Sequence, residues 1–196
     1  DGIADLANGG EYAVDRNHAD GHAGDLVAFL CELLVPLCGN VASSLFEGDL
    51  ALQVAKEFAD CTSAEMIGCG ADYGTAWYGH EKMYEAAGIP AVHLDSENWF
   101  HVNYFLKDVK NTLTMVFASK ENEAASRTAE LVTRLNQMGR KFVLVTDDEN
   151  LEAPYRFLAP KSENGLFMAM CGHAVPALVA GYLAAMREEP YSRGFK

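Results

Sequence analysis

From residue 64 onward, short apolar runs alternate with longer stretches of helical spacing. The runs are 64–68, Ala91–Leu94, Leu113–Ala118, Phe142–Thr146 and Tyr155–Leu158. Leu113–Ala118 in particular has the near-continuous apolar character of a strand buried on both faces. Between the runs lie a helix predicted over Thr75–Ala87, closed by Gly88 as its C-cap, and an amphipathic helix over Glu121–Met138 that Gly139 ends. A long apolar helix from about 164 to 187 completes the layer. Ser96–Leu106 is aromatic and irregular and reads as a short helix and loop; residues 147–150 form an acidic turn. Strands separated by helices predict an α/β protein, a three-layer αβα sandwich around a five-stranded parallel sheet with right-handed crossovers.

Ahead of this alternation, residues 1–24 are rich in Gly, Asp, Asn and His and read as a linker or arm; residues 25–196 read as the domain. Leu26, Phe29, Leu30, Leu33, Leu34 and Leu37 recur at helical spacing, with Asp25 placed to cap the start and Pro36, Gly39 and Asn40 at the end. A second helix runs from about Asp49 to Phe58. Leu166–Met186 carries no formal charge over about the length of a membrane span. It also holds His173, Pro176 and two glycines between acidic flanks, so it reads as the buried helix of a large α/β core.

Composition narrows the partners. The chain has 196 residues, 49% of them hydrophobic and 22% charged, ordinary values for one globular domain. The formal net charge of −13 argues against nucleic acid or an anionic membrane as the main partner, and any phosphate would need local donors that overcome the field. The five cysteines (31, 38, 61, 69 and 171) include no Cys-x-x-Cys pair, which fits reduced thiols in a cytoplasmic protein. The chain opens on Asp1-Gly2-Ile3 without a methionine or a basic segment, which reads as a trimmed piece without a signal peptide. His80, His93, Asp95, Glu97 and His101 lie near one another in sequence without metal-ligand spacing, so no metal is expected. There is no Gly-x-Ser-x-Gly elbow and no Walker loop.

The candidate chemistry gathers around Ala64–Gly88. The first strand ends in Gly68-Cys69-Gly70, followed by a predicted polar turn, Ala71-Asp72-Tyr73-Gly74, and then the helix. Gly68 and Gly70 would let the backbone approach a ligand, with Asp72 and Tyr73 beside it, where open parallel sheets bind ligands. On the helix, Lys82 and Glu85 share a face. That spacing fits a solvated helix face with local ion pairs; it also fits a carboxylate held beside an ammonium to move protons next to a carbonyl. A second cluster, Asp95–Tyr104, sets Glu97 and His101 among aromatics just past the second strand; His101 is either a surface histidine or a general acid or base. Ser119, after the third strand, is placed to hold a phosphate, but Glu121 and Glu123 would repel one and read more simply as first-turn helix residues.

From Leu26 to the end the chain resembles a SIS (sugar isomerase) domain, a flavodoxin-like α/β fold, and is most similar to the second SIS domain of two-domain phosphosugar enzymes. The resemblance rests on the paired-helix lead-in at 26–59, on IGCGADYGTAWYGHEKMYEAAGIPA, on SENWFHVNYF where the family has Glu-x-x-His-Gly-Pro, and on the ending FMAMCGHAVPALVAGYLAAMREEPYSRGFK. It implies aldose–ketose isomerisation, or deglycation of a sugar-amine 6-phosphate, with no cofactor. Glu85 would be the catalytic glutamate that moves the proton between C1 and C2, Lys82 the lysine beside it, and His101 the ring-opening histidine that in the family reaches a neighbouring subunit. Two departures stand out: Val102-Asn103 replaces Gly-Pro, and Ala118–Glu123 replaces the family's Ser-x-Ser-Gly-x-Thr phosphate loop. The partners implied are a sugar phosphate or sugar-amine phosphate, a second copy in a homodimer or higher homo-oligomer, and a missing N-terminal SIS domain. The alternative is a non-catalytic SIS module that binds a sugar phosphate or only dimerises. A flavodoxin-like or receiver domain is a weaker reading, because the acidic turn follows the fourth strand and no flavin-stacking aromatic is evident.

Overall fold

A computed structural model describes residues 48–159 and 165–189, all within the compact unit Ser44–Lys196. The arm expected at 1–24, the apolar helix at 26–38, Cys31 and Cys38 lie outside the described residues. Five parallel strands, β1 (Ser63–Ile67), β2 (Ala91–Leu94), β3 (Thr112–Ala118), β4 (Val143–Thr146) and β5 (Tyr155–Leu158), form one sheet in the order β2-β1-β3-β4-β5. The order reverses between β1 and β3, so the switch point of this sheet opens beside the ends of those two strands. All seven residues of β3 are buried, which its apolar run requires and a central parallel strand provides.

The two faces divide by side-chain parity. Ile67, Val116, Ala118 and Leu144 pack with Trp99, Leu131, Val132, Leu135 and Phe142, under helices α3 (Ser96–His101) and α4 (Ala125–Gln137). The opposite face carries α1 (Gly48–Glu57), α2 (Ala71–Lys82), α5 (Gly165–Gly172) and α6 (Ala174–Met186). There the fit is close: a Cβ at Gly79 of α2 would lie 3.2 Å from Pro176 Cβ and 3.3 Å from Met66 Sδ. This is the three-layer α/β/α arrangement expected from the sequence.

Three helix boundaries differ from expectation. The predicted polar turn at 71–74 is the first turn of α2, entered through Gly70 at φ 53°, because Asp72 is buried there and bonded across the sheet. Helix α4 begins at Ala125 instead of Glu121, since the Asn122 side chain binds the N–H of Ala124 and the carbonyl of Cys69 and holds the segment as a loop. Glu121 and Glu123 are therefore loop residues, not first-turn residues. The single helix expected over 164–187 is two, α5 and α6, broken at His173. Pro176 has no N–H for the carbonyl of Gly172, so a continuous helix would lose that bond and clash there. The stretch Ala169–Met186 has the length and hydropathy of a membrane span, and 44% of it is buried within the unit. Val175, Val179, Ala180 and Leu183 are among its buried residues, and α6 packs on α1, as expected of a core helix.

Within the α3/α4 face lies a polar group that the sequence reading did not identify. Glu65, on β1, is buried; its Oε1 accepts from Thr114 Oγ1 at 2.7 Å and from Trp99 Nε1 at 3.2 Å, and its Oε2 accepts from Asn103 Nδ2 at 2.7 Å. The equally buried Arg140 brings Nη1 to 3.4 Å from Glu65 Oε1 and lies over the Trp99 ring, while its Nη1 and Nη2 have no hydrogen-bond partner. Desolvation weakens the hold of this guanidinium on its proton, and Glu65 opposes that shift. Breaking one half of such a pair leaves an uncompensated buried charge. We expect Glu65→Gln to cost about 3 kcal/mol in urea unfolding, and the double variant Glu65→Gln/Arg140→Met to recover most of it. A double variant no more stable than Glu65→Gln would show that the pair is not coupled.

Candidate functional site

The residues singled out in the sequence fall into three groups. The first lies at the carboxyl ends of β1 and β3. Asp72 is buried; its Oδ1 accepts from Ser119 Oγ at 2.6 Å, and its Oδ2 accepts from Ser119 N at 2.9 Å and Asn122 Nδ2 at 2.9 Å. Asp147, buried after β4, accepts the N–H of Lys120 at 2.7 Å. Burial pushes the Asp72 carboxyl above the ordinary aspartate value; its hydrogen bonds hold it down, and Asp147 adds to the rise.

The glycines of this turn serve the chain's own packing. A Cβ at Gly68 would sit 2.3 Å from the Asp72 carbonyl oxygen, and one at Gly70 would sit 3.0 Å from Asn122 Oδ1 at a positive φ. The thiol of Cys69 contacts Ser96 Oγ and the Ser96 N–H, each at 3.2 Å. Cys61, Cys69 and Cys171 are all free. Tyr73 does not join the group; its ring packs edge-on against His93 of β2 at 5.2 Å.

The second group follows β2. Asp95 caps α3 by accepting the Asn98 N–H at 2.7 Å. His101 Nε2 is 3.0 Å from Glu97 Oε1, and Arg127 Nε of α4 donates to Glu97 Oε2 at 2.7 Å. The Arg127 hydrogen bond is the main reason the Glu97 carboxyl lies below its ordinary value. The imidazole side chain is 72% exposed, so it is presented to whatever approaches this surface.

The third group lies at the far end of α2. This helix of 12 residues spans about 18 Å and descends from the carboxyl-end crevice toward the start of β2. Its last turn widens into a π-helical segment, Met83–Ala87, which closes on Gly88 at φ 65°. Glu85 sits in that segment, paired with Lys82, whose ammonium also lies 5.1 Å from the centre of the Tyr78 ring. The Glu85 hydrogen bond raises the Lys82 pKa. π-Helical turns inside helices are rare and frequent at functional sites. The pair can hold a carboxylate ready to exchange a proton and an ammonium ready to polarise an oxygen.

Sequence reasoning missed three features. Tyr73, Trp77, His80 and Tyr84 form a stripe along α2, continued on β2 by His93, which stacks on Trp77 at 5.7 Å and lies 4.4 Å from His80. Their spacing of four, three and four was legible as one helix face. Asn122 and Asp147 were read as parts of turns, and only long-range contacts give them their roles. A surface groove of about 490 Å³ beside Tyr104, Phe105 and Arg134 is lined by none of the sequence-predicted site residues. No cluster of three metal-ligating side chains occurs among the described residues.

No protein-family model and no curated protein matches the chain. Solved structures do match. One is the C-terminal domain of glucosamine-fructose-6-phosphate aminotransferase from Francisella tularensis, at 18% identity and TM-score 0.67, covering 87% of this chain and 47% of that one. Another is an Escherichia coli CFT073 protein solved in complex with a sugar phosphate, at 12% identity and TM-score 0.69, covering 90% of this chain and 96% of that one. A third is the sugar isomerase domain of an RpiR transcription factor from Sphaerobacter thermophilus, at 12% identity and TM-score 0.58, covering 84% and 96%. The chain spans about half the length of the first solved structures it matches. It has the fold of a SIS domain, as the sequence resemblance implied.

The raised Asp72 value has a thermodynamic signature. The native state holds this proton more tightly than the unfolded chain, so the Asp72 contribution to stability falls as pH rises from the ordinary aspartate range through the native value. The stability of Asp72→Asn relative to the parent should therefore rise with pH across that window and level off above it, measured by urea unfolding at a series of pH values. A difference that stays constant with pH would contradict the shift.

Proposed function

We propose that this chain is the SIS-fold part of a sugar-phosphate-handling protein, with Glu85 as the general base of an aldose–ketose isomerisation or of a sugar-amine 6-phosphate deglycation. The observation that carries this reading is the Lys82–Glu85 pair on the π-helical turn that ends α2. A C–H next to a carbonyl or imine is acidic enough for a carboxylate to remove. In the isomerisation, Glu85 takes the proton from C2 of an open-chain aldose, electrons move onto the C1 oxygen, and an enediol forms. The carboxylic acid then returns the proton to C1. Lys82, held beside the carboxylate, stabilises the developing oxyanion. His101, exposed at the end of α3, is assigned to ring opening in the site of a neighbouring copy. The solved structures of like fold include a domain named for fructose 6-phosphate chemistry and a sugar-phosphate complex, which supports a sugar phosphate as the ligand class. A homo-oligomer, a further N-terminal SIS domain and a cytoplasmic location belong to the same proposal.

One arrangement favours a second reading, a sugar-phosphate-responsive module without catalysis. The side chains of Glu85 and His101 are 58% and 72% exposed, on separate elements, whereas a carbon base works best where water is excluded. A transcription factor domain shares the fold.

The test is turnover of a panel of aldose and ketose phosphates and sugar-amine 6-phosphates by the full chain and by Glu85→Gln. Catalysis predicts that any activity falls by about a hundred- to ten-thousand-fold in the variant, with sugar-phosphate binding retained. Ligand binding without turnover, indifferent to Glu85→Gln, decides for the responsive module.

A further inference from the structure

The crevice between the carboxyl ends of β1 and β3 is where an open sheet of this order offers its ligand site. Here the loop after β3 presents a set of converging donors. Ser119 contributes its N–H and hydroxyl, Asn122 its side-chain amide, and Lys120 the next backbone N–H. Two hydrogen bonds from one residue and a third from a side chain three positions on, all directed at a single pair of oxygens, are the recognition pattern of a bound oxyanion. The group they hold is the chain's own carboxylate, Asp72. Both Asp72 oxygens accept, so the ionised form is the one that this geometry satisfies. The neighbouring Lys120 N–H is taken by a second buried carboxylate, Asp147. The backbone and Asn122 close the front of the turn, where Cβ atoms at Gly68 and Gly70 would collide with them.

We infer that Asp72 is the residue that closes this crevice to oxyanions, by occupying as an intramolecular anion the donors that would otherwise hold a phosphate. An approaching phosphate meets two buried carboxylates and no free donor, on a chain whose net charge is −13. The phosphoryl group of any sugar phosphate is consequently gripped outside this crevice. The inference goes beyond the proposed function and stands whether or not Glu85 acts as a base, because it concerns the opposite end of α2. It makes Asp72 a specificity-determining residue: the loop keeps an anion-binding geometry, and one side chain decides whether it is available.

The experiment follows the backbone amide resonances of Ser119 and Lys120 in the isotope-labelled full chain as inorganic phosphate is added, with sodium chloride at matched ionic strength as the control. The parent is expected to show no phosphate-specific shift at either amide. Asp72→Ala, which empties the cradle, is expected to show saturable shifts, with binding at least about tenfold tighter than the limit set by the parent. Asp72→Asn keeps the side-chain volume while removing the charge; it is expected to lie between the two and serves in place of the alanine variant if that fails to fold. Saturable shifts in the parent would overturn the inference, as would their absence in a folded Asp72→Ala chain. Should neither variant fold, the parent titration decides alone: silence at both amides upholds the closed crevice, and a saturable response refutes it. Glu85→Gln in any of these backgrounds should leave the titration unchanged, which separates this result from the fate of the catalytic reading.

Discussion

The bridge from Asp72 to Ser119 and Asn122 is the constraint on which both helical layers depend. Parallel strands β1 and β3 lie side by side, but each is followed by a helix on the opposite face of the sheet. The two turns must diverge at once from adjacent strand ends while their buried backbone groups stay satisfied. One carboxylate on the first turn of α2 accepts from the loop that leads to α4, and Asn122 returns a hydrogen bond to the Cys69 carbonyl and another to the Ala124 N–H. These contacts fix where α2 begins, where α4 begins and how close the two turns lie. The glycines at 68 and 70 are required because Asp72 and Asn122 already fill the space before them.

Strand positions were legible in the sequence, and helix starts were not, for one physical reason. A strand buried on both faces must be apolar along its length, so Thr112–Ala118 and Val143–Thr146 stand out locally. The starts of α2 and α4 depend on partners far away in sequence: Asp72 and Ser119 are 47 residues apart, and Asn122 and Cys69 are 53. No local rule distinguishes a polar turn from a polar first helical turn whose aspartate is buried by such a contact. The break at His173 is a different case. Pro176 and Gly172 were visible, and proline chemistry was enough to divide the run.

Among the candidate site residues, local pairs were legible and distant assemblies were not. Lys82 and Glu85 are three apart and pair as spacing predicts; Glu97 and His101 are four apart and do the same. Spacing did not reveal that α2 carries the Lys82–Glu85 pair away from the glycine turn, or that a π-helical segment holds it. Nor did it reveal that Glu65 and Arg140 meet in the core, because a charged residue in a strand run is easily read as an edge or an error.

The engagement of the cations bears on how a sugar phosphate could be held. Among the described residues, Arg127 is bound to Glu97 and Glu130, Arg134 to Gln137 and Tyr104, and Arg140 is buried beside Glu65. Arg156 is tied to Glu152 and to carbonyls of its own loop, and Arg187 to the carbonyls of Ala59 and Cys61. Every arginine described is thus committed within the unit, and the donors after β3 are committed to Asp72 and Asp147. A dianion would have to displace one of these partners and leave a carboxylate unmatched, which is costly for a buried group. A proton-transfer pair at the foot of α2 and a filled cradle at its head are the two halves of one design. On the proposed reading, this chain supplies the base, and the phosphate grip comes from surfaces outside the described unit, whether a further domain or a second copy.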